Sequence, residues 1–205
     1  REISTQIIDE KNWNEDWESK LEAVIVNEDL VITPKNKADQ YSDYKYLIKI
    51  DPQMSFGTGY HATTRLASKL LIETVKEGEK WLDAGTGTGV LAILASKLGA
   101  NDVYAFDIEE WAVKNALENA RINEISAIDV DKQDLNKLNL DKFDGIVANI
   151  FANILIDNMT KFANSLSPNS FFICTGILKY DKLKVLESAN NNGFMLVNEL
   201  SEDEW

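Results

Sequence analysis

Two kinds of segment alternate along the chain from residue 51 onward. Short apolar segments typical of strands precede longer segments with apolar residues at helical spacing, such as Val90, Leu91, Leu94 and Leu98. This alternation indicates a mostly parallel sheet that is covered by helices on both faces. We therefore predict an α/β fold with a Rossmann-like, doubly wound sheet. The predicted strands are residues 80–84, 102–107, 128–131, 143–149, 170–175 and 194–200.

The first fifty residues have a different pattern, with few positions of the buried type. Trp13 and Trp17 lie four residues apart, which places both rings on one face of a short helix that docks onto a core. This small number of apolar residues cannot form a stable core of its own. We therefore assign residues 1–50 to a linker and cap, and residues 51–205 to one domain. The strands predicted in the first part are residues 23–26 and 30–33, which form a hairpin, and residues 46–50.

The composition narrows the possible partners. The chain has 21 Lys and Arg against 34 Asp and Glu, a formal net charge of −13. An acidic surface repels phosphate backbones and attracts a basic protein or an amine, so we expect no direct nucleic-acid binding. The sequence contains no run of 18 apolar residues, so we expect no membrane span. Cys174 is the only cysteine, which favours a reducing, cytoplasmic location, and a start at Arg1 rather than Met leads us to expect a fragment of a longer protein.

A glycine turn follows the first predicted strand of the alternating region and opens a helix. In its sequence, DAGTGTG, Asp83 precedes Gly85, Gly87 and a third glycine. Glycine permits a positive φ and lets a ligand approach the backbone without a Cβ in the way. Asp107 ends the next predicted strand, where a carboxylate can accept both ribose hydroxyls of a nucleoside. A tight strand-to-helix connection without a ligand is the alternative interpretation.

Three further residues fit a bound nucleoside. Asp134 follows the third predicted strand of this region, where its carboxylate could accept from an adenine amino group. Ile108 and Trp111 could cover the faces of the adenine. Taken singly, Asp134 could equally be a solvated acid and Trp111 a packing ring.

The spacing of the glycines argues against two common nucleotide sites. A dinucleotide site requires G-x-G-x-x-G, but the sixth position counted from Gly85 is Val90 and that counted from Gly87 is Ala92. The turn also lacks the lysine of a phosphate-binding P-loop. The turn therefore matches neither of these phosphate-binding patterns, which fits a ligand without a phosphate group. We assign no metal ligands.

The order acid-x-G-x-G-x-G resembles motif I of class I methyltransferases that use S-adenosylmethionine. A second stretch, DPQMSFGTGYHATT at residues 51–64, and the run VANI at residues 147–150 resemble the methyltransferases of large-subunit ribosomal protein eleven, the PrmA family. Ala62 stands where that family usually carries proline. The resemblance covers essentially the whole chain, including the two tryptophans near the start and the closing EDEW.

This resemblance implies a function and a set of cofactor contacts. The function is transfer of methyl groups from S-adenosylmethionine, leaving S-adenosylhomocysteine, to lysine and N-terminal amines of a basic ribosomal protein. It also implies a sheet of the class I methyltransferase type. The family has a substrate-recognition domain before the linker, and its last sheet strand follows the EDEW run, so we expect both to be missing here. The expected cofactor contacts are Thr64, Gly85, Asp107 and Asn149, to which we add Phe56, Asp83, Gly87, Ile108 and Asp134.

Two side chains are candidates for the chemical step. Asn149 follows the fourth strand of the alternating region, and its uncharged amide oxygen could accept an N–H and aim an amine lone pair. His61, the only histidine, could relay the proton or pin its loop. Related enzymes that methylate adenine or glutamine amides carry Asn-Pro-Pro-aromatic at this place. The run Asn149-Ile150-Phe151-Ala152 contains no proline, which favours an sp³ amine.

Two alternatives to this function remain. One is a class I methyltransferase for another protein or a small-molecule amine. The other is a non-catalytic module that binds S-adenosylmethionine. The sequence predicts no oligomeric state.

Overall fold

The computed structural model describes residues 21–51, 53 and 55–205. Trp13 and Trp17 lie outside the described residues. The strands are β1 (Val24–Ile25), β2 (Leu30–Pro34), β3 (Tyr46–Ile50), β4 (Lys80–Ala84), β5 (Asp102–Asp107), β6 (Ile128–Lys132), β7 (Phe143–Asn149) and β8 (Leu166–Thr175). The helices are α1 (Ala62–Thr74), α2 (Val90–Lys97), α3 (Glu110–Ile122), α4 (Ala152–Asn164) and α5 (Lys182–Asn191), with a 3-10 helix at Lys35–Tyr41.

In the described part of the chain, the main sheet has five parallel strands in the order β6-β5-β4-β7-β8. The chain builds outward from β4 to β6, then crosses back to place β7 on the other side of β4. The strand order therefore reverses between β4 and β7, and a crevice at the carboxyl ends of these strands is where open α/β sheets bind ligands. The α/β, doubly wound fold predicted from the alternating pattern is confirmed.

Two apolar clusters cover the two faces of this sheet. Trp81 belongs to one cluster and its neighbour Leu82 to the other, because successive side chains of a strand point to opposite faces. The first cluster contains the buried residues of α2, and the second contains Leu155 and Phe162 of α4. The central strand is thus fixed from both sides.

The predicted hairpin is also present. β1 pairs antiparallel with β2, and β3 then pairs parallel with β2 on its other side. The turn between β1 and β2 is held by the Asn27 side chain, whose Oδ1 accepts the backbone N–H groups of Asp29 at 3.0 Å and Leu30 at 2.8 Å. Buried residues of β2 and β3, including Ile32 and Ile48, belong to the same cluster as Trp81. This small sheet therefore packs on the core of the main one.

The segment over residues 194–200 differs from the prediction. Its apolar residues predict a strand, but the structure has no regular element there. Phe194 packs on Phe172 at 5.3 Å between ring centroids, whereas Met195 and Val197 are exposed. A strand forms only where a neighbour pairs with its N–H and C=O groups, and among the described residues β8 pairs with β7 alone.

Gly145 of β7 provides a test of this core. A Cβ at this position would lie 2.3 Å from the ring of the fully buried Trp81. We expect Gly145→Ala to lower the unfolding free energy by about 1–3 kcal/mol, because the overpacked ring cannot move without disturbing the central strands. Urea denaturation of the variant and the wild type measures this difference.

Gly193→Ala is the control for this test. A Cβ there would meet no atom within 4 Å, although the φ of +84° leaves some backbone strain. A Gly145→Ala variant that is no less stable than Gly193→Ala would contradict the packing argument.

Candidate active site

A cavity of about 470 Å³ lies at the carboxyl ends of β4, β5 and β7. This size lies within the range of small-molecule sites. Its lining is mainly apolar, with a few polar groups. The lining residues are Phe56, His61, Thr63, Ala84, Gly85, Gly87, Phe106, Asp107, Ile108, Trp111, Ala112, Gln133, Asp134, Leu135, Asn136, Asn149, Ile150, Phe151, Ile154, Gly176 and Trp205.

The glycine turn forms one wall of the cavity and lies directly against the loop that contains Phe56 and Gly57. Gly87 has a φ of +56°, and a Cβ on it would lie 2.4 Å from the carbonyl oxygen of Phe56. The backbone N–H of Thr88 donates to that same oxygen at 2.9 Å, and the Thr88 hydroxyl donates to the Gly57 carbonyl at 2.8 Å. The two glycine-rich loops therefore touch backbone to backbone, which only glycine at position 87 permits.

Asp107 lies where β5 meets the glycine turn. One carboxylate oxygen accepts the backbone N–H of Gly87 at 3.0 Å, and the other accepts that of Glu109 at 3.0 Å. The side chain is half-buried and lines the cavity. These bonds hold the carboxylate in a fixed orientation at the cavity wall.

Asp83 lies beneath the turn rather than in the cavity lining. Its Oδ2 accepts from the Thr86 hydroxyl at 2.6 Å and from the backbone N–H of Ala92 at 3.1 Å. Its Oδ1 is buried and has no hydrogen-bond partner within the part of the chain that the structure describes. Burial raises the pKa of Asp83 to about 7, and Asp107 adds to the increase. Asp83 thus ties the turn to the start of α2.

The opposite wall carries exposed apolar side chains and one carboxylate. Ile108 is 60% exposed and Trp111 is 44% exposed, and both line the cavity. Asp134 lines it too, and the backbone N–H of Asn136 donates to Oδ1 at 3.0 Å. This bond lowers the pKa of Asp134, with a smaller contribution from Lys137. A flat apolar ring with a donor at its edge fits these surroundings.

Asn149 ends β7 and points its amide at the first turn of α1. Its Nδ2 donates to Thr64 Oγ1 at 3.5 Å. Thr64 is fully buried and does not line the cavity, whereas Asn149 does. Thr64 therefore lies behind the cavity wall and contacts Asn149, which is part of that wall.

His61 caps the N-terminus of α1. Its Nδ1 accepts the backbone N–H of Thr63 at 3.3 Å and lies 2.8 Å from the Thr63 hydroxyl. The ring packs between Phe56 at 5.2 Å and Trp205 at 4.8 Å between centroids. Burial lowers the pKa of His61, and the Arg65 charge acts in the same direction. An Nδ1 that accepts an N–H carries no proton, so this cap requires the neutral ring with its proton on Nε2.

Several lining residues were not among those assigned from the sequence. Trp205 reaches the cavity because residues 202–205 fold over α1, where Arg65 Nε donates to Glu202 Oε1 at 3.0 Å and an Arg65 terminal nitrogen donates to the Gly59 carbonyl at 3.1 Å. The EDEW run was the available signal, but the resemblance marked it only as the run before the family's last strand. Ile150 and Phe151, directly after Asn149, also line the cavity.

The structure brings most of the predicted site together. Eight of the ten assigned residues line the one cavity, and the other two, Thr64 and Asp83, each support its wall from behind. Among residues 21–51, 53 and 55–205, no group of three His, Cys, Asp or Glu side chains could hold a metal ion. Within the same residues, no helix combines the length and apolar character needed to cross a bilayer.

A family model described as "Ribosomal protein L11 methyltransferase (PrmA)" matches residues 1–205. The chain belongs to the PrmA family. This membership confirms the resemblance seen in the two glycine-rich stretches.

Curated PrmA relatives match nearly the whole chain. The ribosomal protein L11 methyltransferase of Acetivibrio thermocellus is 37% identical over 198 residues, which cover 97% of this chain and 63% of that protein. The one of Porphyromonas gingivalis is 39% identical over 207 residues, covering 100% of this chain and 71% of that protein. The chain thus spans slightly under two thirds of the first relative's length.

A solved structure of similar sequence has the same architecture. The crystal structure of a ribosomal protein L11 methylase from Lactobacillus delbrueckii subsp. bulgaricus aligns with a TM-score of 0.82 and 34% identity, covering 90% of this chain and 95% of that one. The precorrin 8W decarboxylase of Methanobacterium thermoautotrophicum aligns with a TM-score of 0.56 at 22% identity over 66% of this chain and 75% of that one, which shows a shared fold.

The raised pKa of Asp83 makes a prediction about stability and pH. The folded protein holds a proton on Asp83 up to about pH 7, whereas the unfolded chain releases it near pH 3.8, so folding stability falls as pH rises through this interval. Asp83→Asn removes this dependence while keeping an oxygen acceptor. We expect the unfolding free energy of the variant to rise by about 2 kcal/mol relative to that of the wild type as the pH increases from 5 to 8.

Urea denaturation at the two pH values measures this gain. Asp157→Asn, a change at an exposed carboxylate on α4, is the control. Its unfolding free energy relative to the wild type should be the same at both pH values. Equal pH profiles for Asp83→Asn and the wild type would show that Asp83 is ionised throughout.

Proposed function

We propose that this chain binds S-adenosylmethionine and transfers its methyl group to lysine and N-terminal amines of ribosomal protein L11, leaving S-adenosylhomocysteine. One observation carries the proposal: in a member of the PrmA family, the glycine turn, Asp107 and Asn149 converge on a single cavity. A ribosomal substrate corresponds to a cytoplasmic location. The division into a linker and cap over residues 1–50 and a methyltransferase domain over residues 51–205 is part of the same proposal.

The cavity suits a nucleoside that carries an amino-acid chain. We assign Asp107 to the ribose hydroxyls and Asp134 to the adenine amino group, and backbone N–H groups hold both carboxylates at the cavity. Ile108 and Trp111 would cover the adenine. The glycine turn offers backbone without a Cβ to the methionine part of the ligand. When bound, S-adenosylmethionine supplies a methyl group on a positively charged sulfur.

The acceptor amine must arrive with a lone pair. A lysine amine has a pKa of about 10.4, so neutralising it at pH 7 costs about 4.6 kcal/mol. An apolar cavity lowers this pKa because it disfavours the ammonium form. The Asn149 oxygen can accept one amine N–H. Because the amide is uncharged, it does not stabilise the protonated amine as a carboxylate would. The bond from Asn149 Nδ2 to Thr64 supports this orientation of the amide.

Of the two roles open to His61, the geometry favours positioning. Nδ1 is occupied by the Thr63 N–H, and burial of the ring lowers its pKa, so the ring is a poor proton acceptor at pH 7. Its contacts with Phe56 and Trp205 instead fix two aromatic walls of the cavity. The released proton would then leave to solvent from the amine.

The charge of the chain supports a basic protein as acceptor. A net charge of −13 favours the approach of a positively charged partner and disfavours bare nucleic acid. Phe56 and Phe151 are exposed at the cavity mouth, where an inserted amine-bearing side chain would meet them. A panel of small amines assayed beside ribosomal protein L11 separates this function from methylation of a small molecule.

The ribose contact can be tested by removing its carboxylate. We expect Asp107→Ala to weaken binding of S-adenosylmethionine about tenfold to a hundredfold, because a hydrogen bond to a charged group is lost. Titration calorimetry measures the affinity, with NADH as a control ligand that should not bind. Asp131→Ala removes an equal charge from an exposed side chain outside the cavity and should leave the affinity nearly unchanged. Equal affinities for Asp107→Ala and the wild type would refute the ribose assignment.

The acceptor role can be tested at Asn149. We expect Asn149→Ala to slow methyl transfer about a hundredfold at saturating S-adenosylmethionine, because the amine loses its orienting partner. Transfer of tritium from the labelled methyl group to ribosomal protein L11 measures the rate. Thr64→Val, which preserves shape and removes only the hydroxyl behind Asn149, should cause a smaller loss. Unchanged turnover by Asn149→Ala would remove the proposed role, and a parallel thermal melt separates it from unfolding.

A further inference from the structure

Three asparagines lie one helical turn apart along α3 and its end. Asn115, Asn119 and Asn123 are all buried, with exposed fractions of 0%, 0% and 6%. Their spacing of four residues places all three on one face of the helix. A row of buried amides requires partners, because an unpaired polar group in the interior is costly. Apolar residues at these positions would have been the simpler way to pack a helix.

These asparagines bond to the backbone at the outer edge of β3. Asn123 Oδ1 accepts the Lys49 N–H at 2.9 Å, and Asn123 Nδ2 donates to the Lys49 carbonyl at 2.6 Å. Asn119 Oδ1 accepts the Asp51 N–H at 2.8 Å, and Asn115 Nδ2 donates to the Asp51 carbonyl at 2.7 Å. Side-chain amides thus occupy the place where a neighbouring strand would pair.

The geometry of helix and strand explains why this arrangement works. Four helical residues rise about 6.0 Å, and two strand residues rise about 6.6 Å. Alternate residues of a strand turn their N–H and C=O groups toward the same edge. A step of four along α3 therefore matches a step of two along β3. The numbering runs in opposite directions, since Asn123 faces Lys49 and Asn119 faces Asp51.

Asn119 differs from Asn123 because it also reaches the glycine turn. Its Nδ2 donates to the Thr88 carbonyl at 2.8 Å while its Oδ1 holds the Asp51 N–H. Thr88 is the residue whose N–H and hydroxyl bond to Phe56 and Gly57. Among the described residues, Asn123 by contrast bonds to β3 and to its own helix alone. One buried amide therefore connects the start of the loop after β3 to the turn on which that loop lies.

We propose that Asn119 is a positioning residue for cofactor binding. It sets the distance between the loop that begins at Asp51 and the glycine turn, and these two segments supply Phe56, Gly85 and Gly87 to the cavity. Asn119 does not itself line the cavity. Its effect on the cofactor passes through Thr88 and the backbone that Thr88 holds. This inference rests on the proposed function, since it assumes that S-adenosylmethionine is the ligand of the cavity.

The matched pair Asn119→Ala and Asn123→Ala tests the proposal. Both variants lose amide bonds to β3, so both should unfold at a lower temperature than the wild type. Only Asn119→Ala also releases the glycine turn. We expect its dissociation constant for S-adenosylmethionine to rise about tenfold, the effect of losing a buried hydrogen bond to the turn, and that of Asn123→Ala to change less than about twofold. Titration calorimetry below both unfolding transitions gives the two constants.

A second variant keeps the test decisive if Asn119→Ala does not fold. Asn119→Asp retains an oxygen that accepts the Asp51 N–H but loses the donor to the Thr88 carbonyl when ionised. It should also weaken S-adenosylmethionine binding, and the binding should improve as the pH falls and the carboxyl gains a proton to donate. Asn123→Asp, the matched change away from the turn, should show no such dependence.

The possible outcomes separate the inference from the function on which it rests. A wild-type chain that does not bind S-adenosylmethionine would overturn the proposed function. A wild type that binds, together with Asn119 and Asn123 variants of equal affinity, would overturn only the positioning role. Weaker binding by the Asn119 variants alone would establish it.

Discussion

The bond from the Thr88 N–H to the Phe56 carbonyl joins two loops through residues that are 32 positions apart in the sequence. Neither loop could approach so closely with a side chain at Gly87, because a Cβ there would overlap the Phe56 oxygen. The cavity exists because these backbones touch: one loop supplies Phe56 and His61, the other supplies the glycine turn. Asp83 supports the turn from below and Asp107 from the side, so the glycines adopt a defined conformation despite their intrinsic freedom.

The buried asparagines of α3 lie where a backbone segment needs a partner that the sheets do not provide. The row of asparagines on α3 satisfies the outer edge of β3, which would otherwise present unpaired N–H and C=O groups to a helix. The small sheet and the main sheet thereby share one core, with Ile32 and Ile48 packed in the same cluster as Trp81. Rigid connection of this kind lets residues far apart in sequence hold a cavity wall in register.

Local constraints could be predicted from the sequence, and non-local ones could not. The glycine turn and Asp107 follow strands that are recognisable from their apolar runs, and parallel strands bring their carboxyl ends to one edge of the sheet. Trp205 enters the cavity through contacts between residues far apart in sequence, such as the bond from Arg65 to Glu202, which no local pattern reveals. Residues 194–200 were wrongly predicted as a strand because apolar composition does not say whether a partner is available. Asn119 was overlooked because a buried amide and an exposed one look alike in sequence.

The capping role of His61 has a consequence for how the molecule responds to acid. A protonated imidazole cannot accept the Thr63 N–H, and its charge would oppose the positive end of the α1 dipole. Because the folded state favours the neutral ring, stability is lost as pH falls from about 6.5 through the lowered pKa of His61. The five-stranded sheet contains no histidine. Protonation of His61 would therefore weaken the cap of α1 beside the cavity without placing a new charge in the sheet, so occupancy of the pocket and integrity of the fold are separable properties.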